Sequence, residues 1–247
     1  MTSILLSRRP DSPHVMAVSS PSRGDGKSTT VYNVAVALAT GGERVLVVDG
    51  NMAEPVQHEL FGVAQRLGLG DLLEVGANED NAMSDEEARR SDVENLRLIT
   101  EGALETTHPD LKNLHLMTAG MAPSQASRLL HSRGFAAALM QRFRHFDVVL
   151  IDTPAVLDDP DARIFGRISD SVALVLRASS TSVEDALAAR DRFLSDRTPI
   201  AGAVLNDCER AAGATAKKAQ REHRSRAVGG AEMAALPLSG RNGRVGA

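Results

Sequence analysis

The residues best suited to chemistry in this chain stand together in one stretch, Ser19-Ser20-Pro21-Ser22-Arg23-Gly24-Asp25-Gly26-Lys27-Ser28-Thr29-Thr30. Gly24 and Gly26 let the backbone turn its N–H groups inward, in conformations that a side chain would block. Lys27 supplies a mobile full charge for the β- and γ-phosphates of a nucleotide, and Ser28 a hydroxyl for the accompanying magnesium. A helix opening at Lys27 adds unsatisfied N–H groups and the positive end of its dipole. Gly-Lys-Ser alone also occurs in ordinary turns, so its flanks decide. The apolar run Val15–Val18 precedes it and a helical pattern from Val31 to Leu38 follows. Strand, glycine-containing turn, Gly-Lys-Ser and helix form the arrangement of a phosphate-binding loop, although Pro21 replaces the usual first glycine. Ser22, Arg23, Gly24, Asp25, Gly26, Lys27, Ser28 and Thr29 are the residues expected to line it.

Two acids complete the pattern. Val45-Leu46-Val47-Val48-Asp49 and Val148-Val149-Leu150-Ile151-Asp152 are continuous apolar runs, each ending in aspartate. Such runs mark strands buried on both faces, and parallel sheets hold their ligands at the carboxyl ends of strands. A lone Asp after a strand is usually a cap or a turn former. Two of them beside a phosphate loop are better explained as magnesium and water ligands, because magnesium demands hard oxygen donors and keeps several waters. Ser28, Asp49 and Asp152 are therefore the expected metal set. The histidines are scattered without metal-ligand spacing, and no nucleophile elbow is visible.

The elements that must position these residues follow in order. Residues 1–13 are an irregular lead-in with two prolines and an apolar stretch too short for a signal peptide. His14–Ser19 reads as a strand and Lys27 to Thr40 as a helix ending at Gly41-Gly42. Residues 78–113 are polar and strongly charged, and read as a helix-containing surface insertion. Leu114–Thr118 reads as a short strand. Ser124–Arg144 carries a helical pattern with Leu129, Leu130, Phe135, Leu139 and Phe143 on its buried side. Further on, Ala162–Ile168 and Val183–Leu194 read as helices, Ser171–Leu176 and Ile200–Asn206 as strands. Alternating strands and helices predict an α/β fold, a doubly wound, mostly parallel sheet with flanking helices. The nucleotide domain is expected to span residues 14–208.

Composition narrows the classes. With no Trp, one Tyr and six Phe among 247 residues, the core must be aliphatic. A single cysteine, Cys208, excludes disulfides within the chain and Cys-based metal sites, and points to a reducing compartment. No apolar run approaches the ~20 residues needed to span a bilayer. Residues 209–247 hold eight Lys/Arg against three Asp/Glu, so this stretch is +5 while the remainder is −9. Such a basic segment reads either as a solvated, disordered extension or as a dock for an acidic partner or an anionic membrane. It contains no aromatic residue to support nucleic-acid binding.

Gly-Asp-Gly-Lys-Ser-Thr-Thr, Val-Leu-Val-Val-Asp-Gly-Asn and Phe-Asp-Val-Val-Leu-Ile-Asp-Thr-Pro-Ala-Val-Leu together resemble the bacterial tyrosine kinases (BY-kinases). The resemblance covers residues 14–207 and includes Pro55, Phe61-Gly62, Gly120, Pro123-Ser124 and Asp161-Ala162. It implies a P-loop NTPase using ATP and Mg²⁺, in capsule or exopolysaccharide biosynthesis and export. The implied partner is the cytoplasmic segment of a membrane chain-length regulator, a polysaccharide co-polymerase. The implied location is cytoplasmic, at most peripheral to the inner face of the membrane, with homo-oligomers expected. Lys27 and the loop backbone would hold the phosphates, with Asp49 as candidate base or water-orienting acid and Asp152 as the second acid. Asn206 stands where relatives often contact adenine; a strand-terminating turn residue is the equal alternative. The wider class is similar to the MinD/ParA-like positioning ATPases, whose signature lysine is replaced here by Ser22.

Departures from the family shape the expectation further. Asp49-Gly50-Asn51-Met52-Ala53-Glu54 stands where the family reads Asp-x-Asp followed by arginines. Asn51 can bond a metal-bound water but brings no charge, which leaves a nucleotide-binding scaffold with negligible turnover as a rival reading. The family's N-terminal assembly helix has no match in residues 1–13. Residues 209–247 lack tyrosine altogether, so autophosphorylation on a tail tyrosine cluster is not expected. The only tyrosine, Tyr32, reads as a packing residue on the helix behind the loop.

Overall fold

A computed structural model of the protein describes residues 13–65, 67–73, 104–108, 111–120, 130, 139–140 and 143–208. The chain falls into two units, Met1–Asn206 and Asp207–Ala247. Only Asp207 and Cys208 of the second are among the described residues.

The first unit is built on a seven-stranded sheet. Its elements among the described residues are β1 (His14–Ser19), α1 (Lys27–Thr40), β2 (Val45–Asp49), α2 (Gln57–Leu60), β3 (Leu104–His108), β4 (Leu111–Met117), β5 (Val148–Asp152), α3 (Asp161–Ile168), β6 (Ser171–Arg177), α4 (Val183–Ser195) and β7 (Ile200–Asn206). The strand order is β3-β4-β2-β5-β1-β6-β7. All neighbours are parallel except β3, which pairs antiparallel with β4 at the edge. The mostly parallel, helix-flanked α/β sheet of a P-loop NTPase is therefore the observed fold.

The continuous apolar runs are the physical reason. Along β1, Met16 and Val18 face one side with Val31, Ala35 and Leu38 of α1. Val15 and Ala17 face the other, with Phe165 of α3 and Phe193 of α4. Side chains alternate along a strand, so a sheet covered by helices on both faces needs apolar residues at every position. β2 and β5 obey this completely: all of their residues are buried, the terminal aspartates included. Phe143, Phe165 and Phe193, fully buried, supply the aromatic part of an otherwise aliphatic core.

The charged stretch 78–113 ends differently from its sequence reading. Residues 104–108 form β3, and 111–113 open β4, so this part of the stretch extends the sheet rather than a surface helix. β3 takes the edge position, and its sequence Leu104-Glu105-Thr106-Thr107-His108 shows no apolar alternation to mark it as a strand. Residues 74–103 lie outside the described residues. Leu130, Leu139 and Phe143 are buried as the helical pattern predicts; Leu129 and Phe135 lie outside the description. Tyr32 stacks edge-on against Phe61, with ring centroids 5.0 Å apart, as befits a packing residue.

Candidate functional site

β1, β5 and β2 are consecutive in the sheet, and each carries part of one site at its carboxyl end. Asp49 and Asp152 are register partners across the β2–β5 pair, and Val18, just before the loop, is the partner of Asp152 across β1–β5. Adjacent strands lie about 4.8 Å apart, so the sheet itself brings the two acids and the loop together. Gly50 makes this closeness tolerable. Its N–H donates to the carbonyl of Asp152 at 2.8 Å. A Cβ there would stand 2.9 Å from that oxygen and 3.0 Å from the Phe165 ring.

The loop from Ser20 to Gly26 is held from several sides. Gly24 and Gly26 take left-handed φ values of 78° and 97°. A Cβ on Gly26 would fall 2.1 Å from the Asn206 amide nitrogen, which donates to the carbonyl of Asp25 at 3.0 Å. Asn206, at the end of β7, thus braces the loop from outside. The Asp25 carboxylate is buried and accepts from the Ser22 N–H at 3.0 Å and from the Thr181 hydroxyl at 3.3 Å. Arg177 donates to the Gly24 carbonyl, and the Val156 N–H to the Ser20 carbonyl at 2.9 Å. Ser22, Arg23, Gly24 and Thr29 are exposed, with Arg23 paired to Glu54.

α1 begins at Lys27 with Gly26 as its cap residue, no side-chain cap and no acid in its first turn. Its first N–H groups thus receive no carboxylate or hydroxyl from the cap position, and the dipole's positive end is left for an anion. Lys27 is only 6% exposed. Burial pushes its ammonium below the usual range, while Asp152, Asp25 and Asp158 pull it back up.

The acids are wholly buried. Burial, then the neighbouring Asp152, pushes the Asp49 carboxyl up to about 7, against N–H groups from Gln57, Asn51 and Val56. Those N–H groups reach Asp49 Oδ2 at 3.0 Å from Gln57 and 3.1 Å from Val56, and Oδ1 at 3.3 Å from Asn51. Burial likewise raises Asp152, opposed by the Ser28 hydroxyl, the Gln57 amide and Lys27. Asp152 Oδ2 accepts from Gln57 Nε2 at 2.8 Å, whereas its buried Oδ1 has no partner among the described residues. An orphaned carboxylate oxygen beside a serine hydroxyl and a lysine fits a hydrated magnesium ion. The donor set is all oxygen, as magnesium requires.

The raised Asp49 carboxyl has a stability consequence. Between about pH 4 and about pH 7 the folded protein holds a proton that the unfolded chain has released, so stability from this group falls as pH rises through that window. His14 acts oppositely, since burial lowers its imidazole. The comparison with Asp49→Asn isolates the acid: relative to wild type, the variant's nucleotide-free stability in urea is expected to improve steadily from pH 5 to pH 7.5. Parallel profiles for the two proteins would refute the assignment.

The sheet register therefore sets both acids beside the end of β1, where the loop begins, and Asn206 braces that loop from β7. Gln57 went unnoticed in the sequence. It follows Asp49 by eight residues on a four-residue helix, and no local pattern distinguishes it from a surface polar residue.

A protein-family model described as an AAA domain matches residues 14–188. Among curated proteins, the chain is 28% identical over 189 residues to tyrosine-protein kinase YwqD of Bacillus subtilis, covering 76% of this chain and 70% of that protein. Among solved structures it is similar to the chimerical protein CapA2B2, with a TM-score of 0.66, 27% identity and coverage of 83% of this chain and 80% of the other. The septum site-determining protein MinD of Pyrococcus horikoshii, solved with Mg-ADP, shares the fold at a TM-score of 0.60 and 22% identity, with 80% of this chain and 72% of that one covered.

Proposed function

The chain belongs to the AAA domain family, and on that premise we propose that it is an ATP-binding protein of capsule or exopolysaccharide biosynthesis or export. It acts as a BY-kinase-like ATPase or switch on a membrane partner. The observation that carries this reading is the in-register pair Asp49 and Asp152 beside the buried Lys27 and Ser28. Likeness to a tyrosine-protein kinase over most of the chain supports the ATPase or kinase kind.

In this reading the N–H groups of residues 24–29 and the Lys27 ammonium hold the phosphates. Ser28, Asp49 and Asp152 hold Mg²⁺ directly or through its waters, and Asn206 flanks the base. The ion would supply charge neutralisation for phosphoryl transfer. Burial and Asp152 raise the Asp49 carboxyl in the metal-free protein; the charge of a bound ion would favour its ionised form, the form a base or water-orienting acid needs. The partner is the cytoplasmic segment of a chain-length regulator, and the protein works at the inner face of the membrane. Among the described residues no helix is long and apolar enough to cross it.

Steady-state phosphate release tests the reading. Mg-ATP turnover is expected to be slow alone and to rise when a candidate partner's cytoplasmic segment is added. Absence of both ATP binding and turnover would defeat it. One observation favours a second reading: Asn51 replaces the family's second acid and contributes its N–H to Asp49, as a nucleotide-binding scaffold with negligible turnover would allow. Tight binding without phosphate release under both conditions would select that one. ATP-dependent dimerisation with DNA binding would instead favour a MinD/ParA-like positioning ATPase.

Residues 209–247 contain no tyrosine. Incubation with Mg-ATP is therefore expected to leave the purified protein without phosphotyrosine, by mass spectrometry and by antibody. Modified Tyr32, the only tyrosine, would contradict its packing role.

A further inference from the structure

Gln57 is fully buried and joins three parts of the site. Its N–H donates to Asp49 Oδ2 at 3.0 Å. Its side-chain Nε2 donates to Asp152 Oδ2 at 2.8 Å and to the Ser28 carbonyl at 3.1 Å. Both neighbours of the amide nitrogen are acceptors, so the orientation of the amide is fixed. Among the described residues, that orientation leaves Gln57 Oε1 buried without a partner, and Asp152 Oδ1 is bare as well. A glutamine serving only to knit loops gains nothing from leaving such atoms behind, because a buried, unpaired acceptor is destabilising. The two bare atoms are both acceptors and belong to side chains joined by a hydrogen bond.

Water bound to a divalent cation answers this need. Its lone pair is committed to the metal, so it presents donors alone. Magnesium keeps several such waters, and the groups around them are as important to the site as direct ligands. We infer that Gln57 is a positioning residue for the divalent cation, turning one oxygen of Asp152 toward the ion's waters and offering them its own amide oxygen. The inference rests on the nucleotide reading above and adds a residue to it. It also gives the segment after β2 a link to the metal: Gln57 opens α2 and is tied to β5 and α1 at once.

The test measures binding rather than turnover. A fluorescent ATP analogue is titrated into wild type and Gln57→Met, a variant of similar length without polar atoms, in EDTA and in Mg²⁺. Wild type is expected to bind more tightly with Mg²⁺. Gln57→Met is expected to match wild type within about twofold in EDTA but to lose about 10-fold or more in Mg²⁺. Equal losses under both conditions, or an undiminished magnesium gain, would overturn the inference. If Gln57→Met does not fold, Gln57→Asn replaces it, an amide one methylene too short to span to Asp152. It is expected to lose the magnesium gain likewise, and keeping that gain in full would refute the role. Failure of wild type to bind the analogue at all would instead remove the nucleotide reading itself.

Discussion

Lys27→Met is expected to lower affinity for Mg-ATP at least about 100-fold while leaving the fold intact. Lys27 is almost fully buried at the start of α1, so its attraction for phosphate is little diluted by water. Removing one partner of a desolvated charge pair costs about 2–5 kcal/mol, and each 1.4 kcal/mol is about tenfold in affinity. Methionine keeps the apolar stem, which preserves the packing beneath the loop. A buried ammonium is also costly to hold without a ligand, as its lowered proton affinity indicates. The nucleotide-free variant should therefore melt as a cooperative fold. Calorimetric titration beside a thermal melt checks both halves. Wild-type affinity in a folded variant would show that the loop does not bind phosphate.

Gly68→Ala should be the most damaging small substitution for stability. Gly68 packs against the end of β4: a Cβ would lie 2.1 Å from the Thr118 carbonyl and 2.6 Å from the Gly120 N–H nitrogen. Both obstacles are backbone, fixed by hydrogen bonds from Leu69 N–H to the Thr118 carbonyl and from Gly70 N–H to the Ala119 carbonyl, each 2.9 Å. Neither can rotate away as a side chain could. A loss of about 3 kcal/mol or more is expected, which lowers Tm by roughly 6–12 °C in a domain of this size. Gly62→Ala is the control. Gly62 has a left-handed φ of 68° but open space around it, so only backbone strain of about 1–2 kcal/mol applies. Equal melting of the two variants would mean that the close approach at Gly68 is not as described.

How much of this was legible in the sequence depended on the range of each interaction. The loop from Ser19 to Thr30 could be read because glycine, lysine and hydroxyl residues must sit at fixed local spacing. Asp49 and Asp152 could be read because fully buried parallel strands leave unbroken apolar runs, and an acid ending such a run stands out. Their side-by-side register could not, since it depends on β5, a hundred residues later, inserting between β1 and β2. Gln57 was invisible for the same reason: its bonds to Ser28 and Asp152 span 29 and 95 residues. The Asn206 amide reaches Asp25 across 181 residues. Sequence suggested a base contact or a turn for Asn206; the structure adds a brace on the loop. β3 escaped because Leu104-Glu105-Thr106-Thr107-His108 has no apolar alternation, so it read as part of the charged stretch.

The most direct trial of the account is a crystal structure with Mg²⁺ and a non-hydrolysable ATP analogue. The triphosphate is expected within hydrogen-bonding distance of the Lys27 ammonium and the N–H groups of residues 24–29. The metal is expected beside the Ser28 hydroxyl, its waters bonded to Asp49 and Asp152. A nucleotide seated elsewhere on the protein, or a metal whose shell touches neither aspartate, would contradict it.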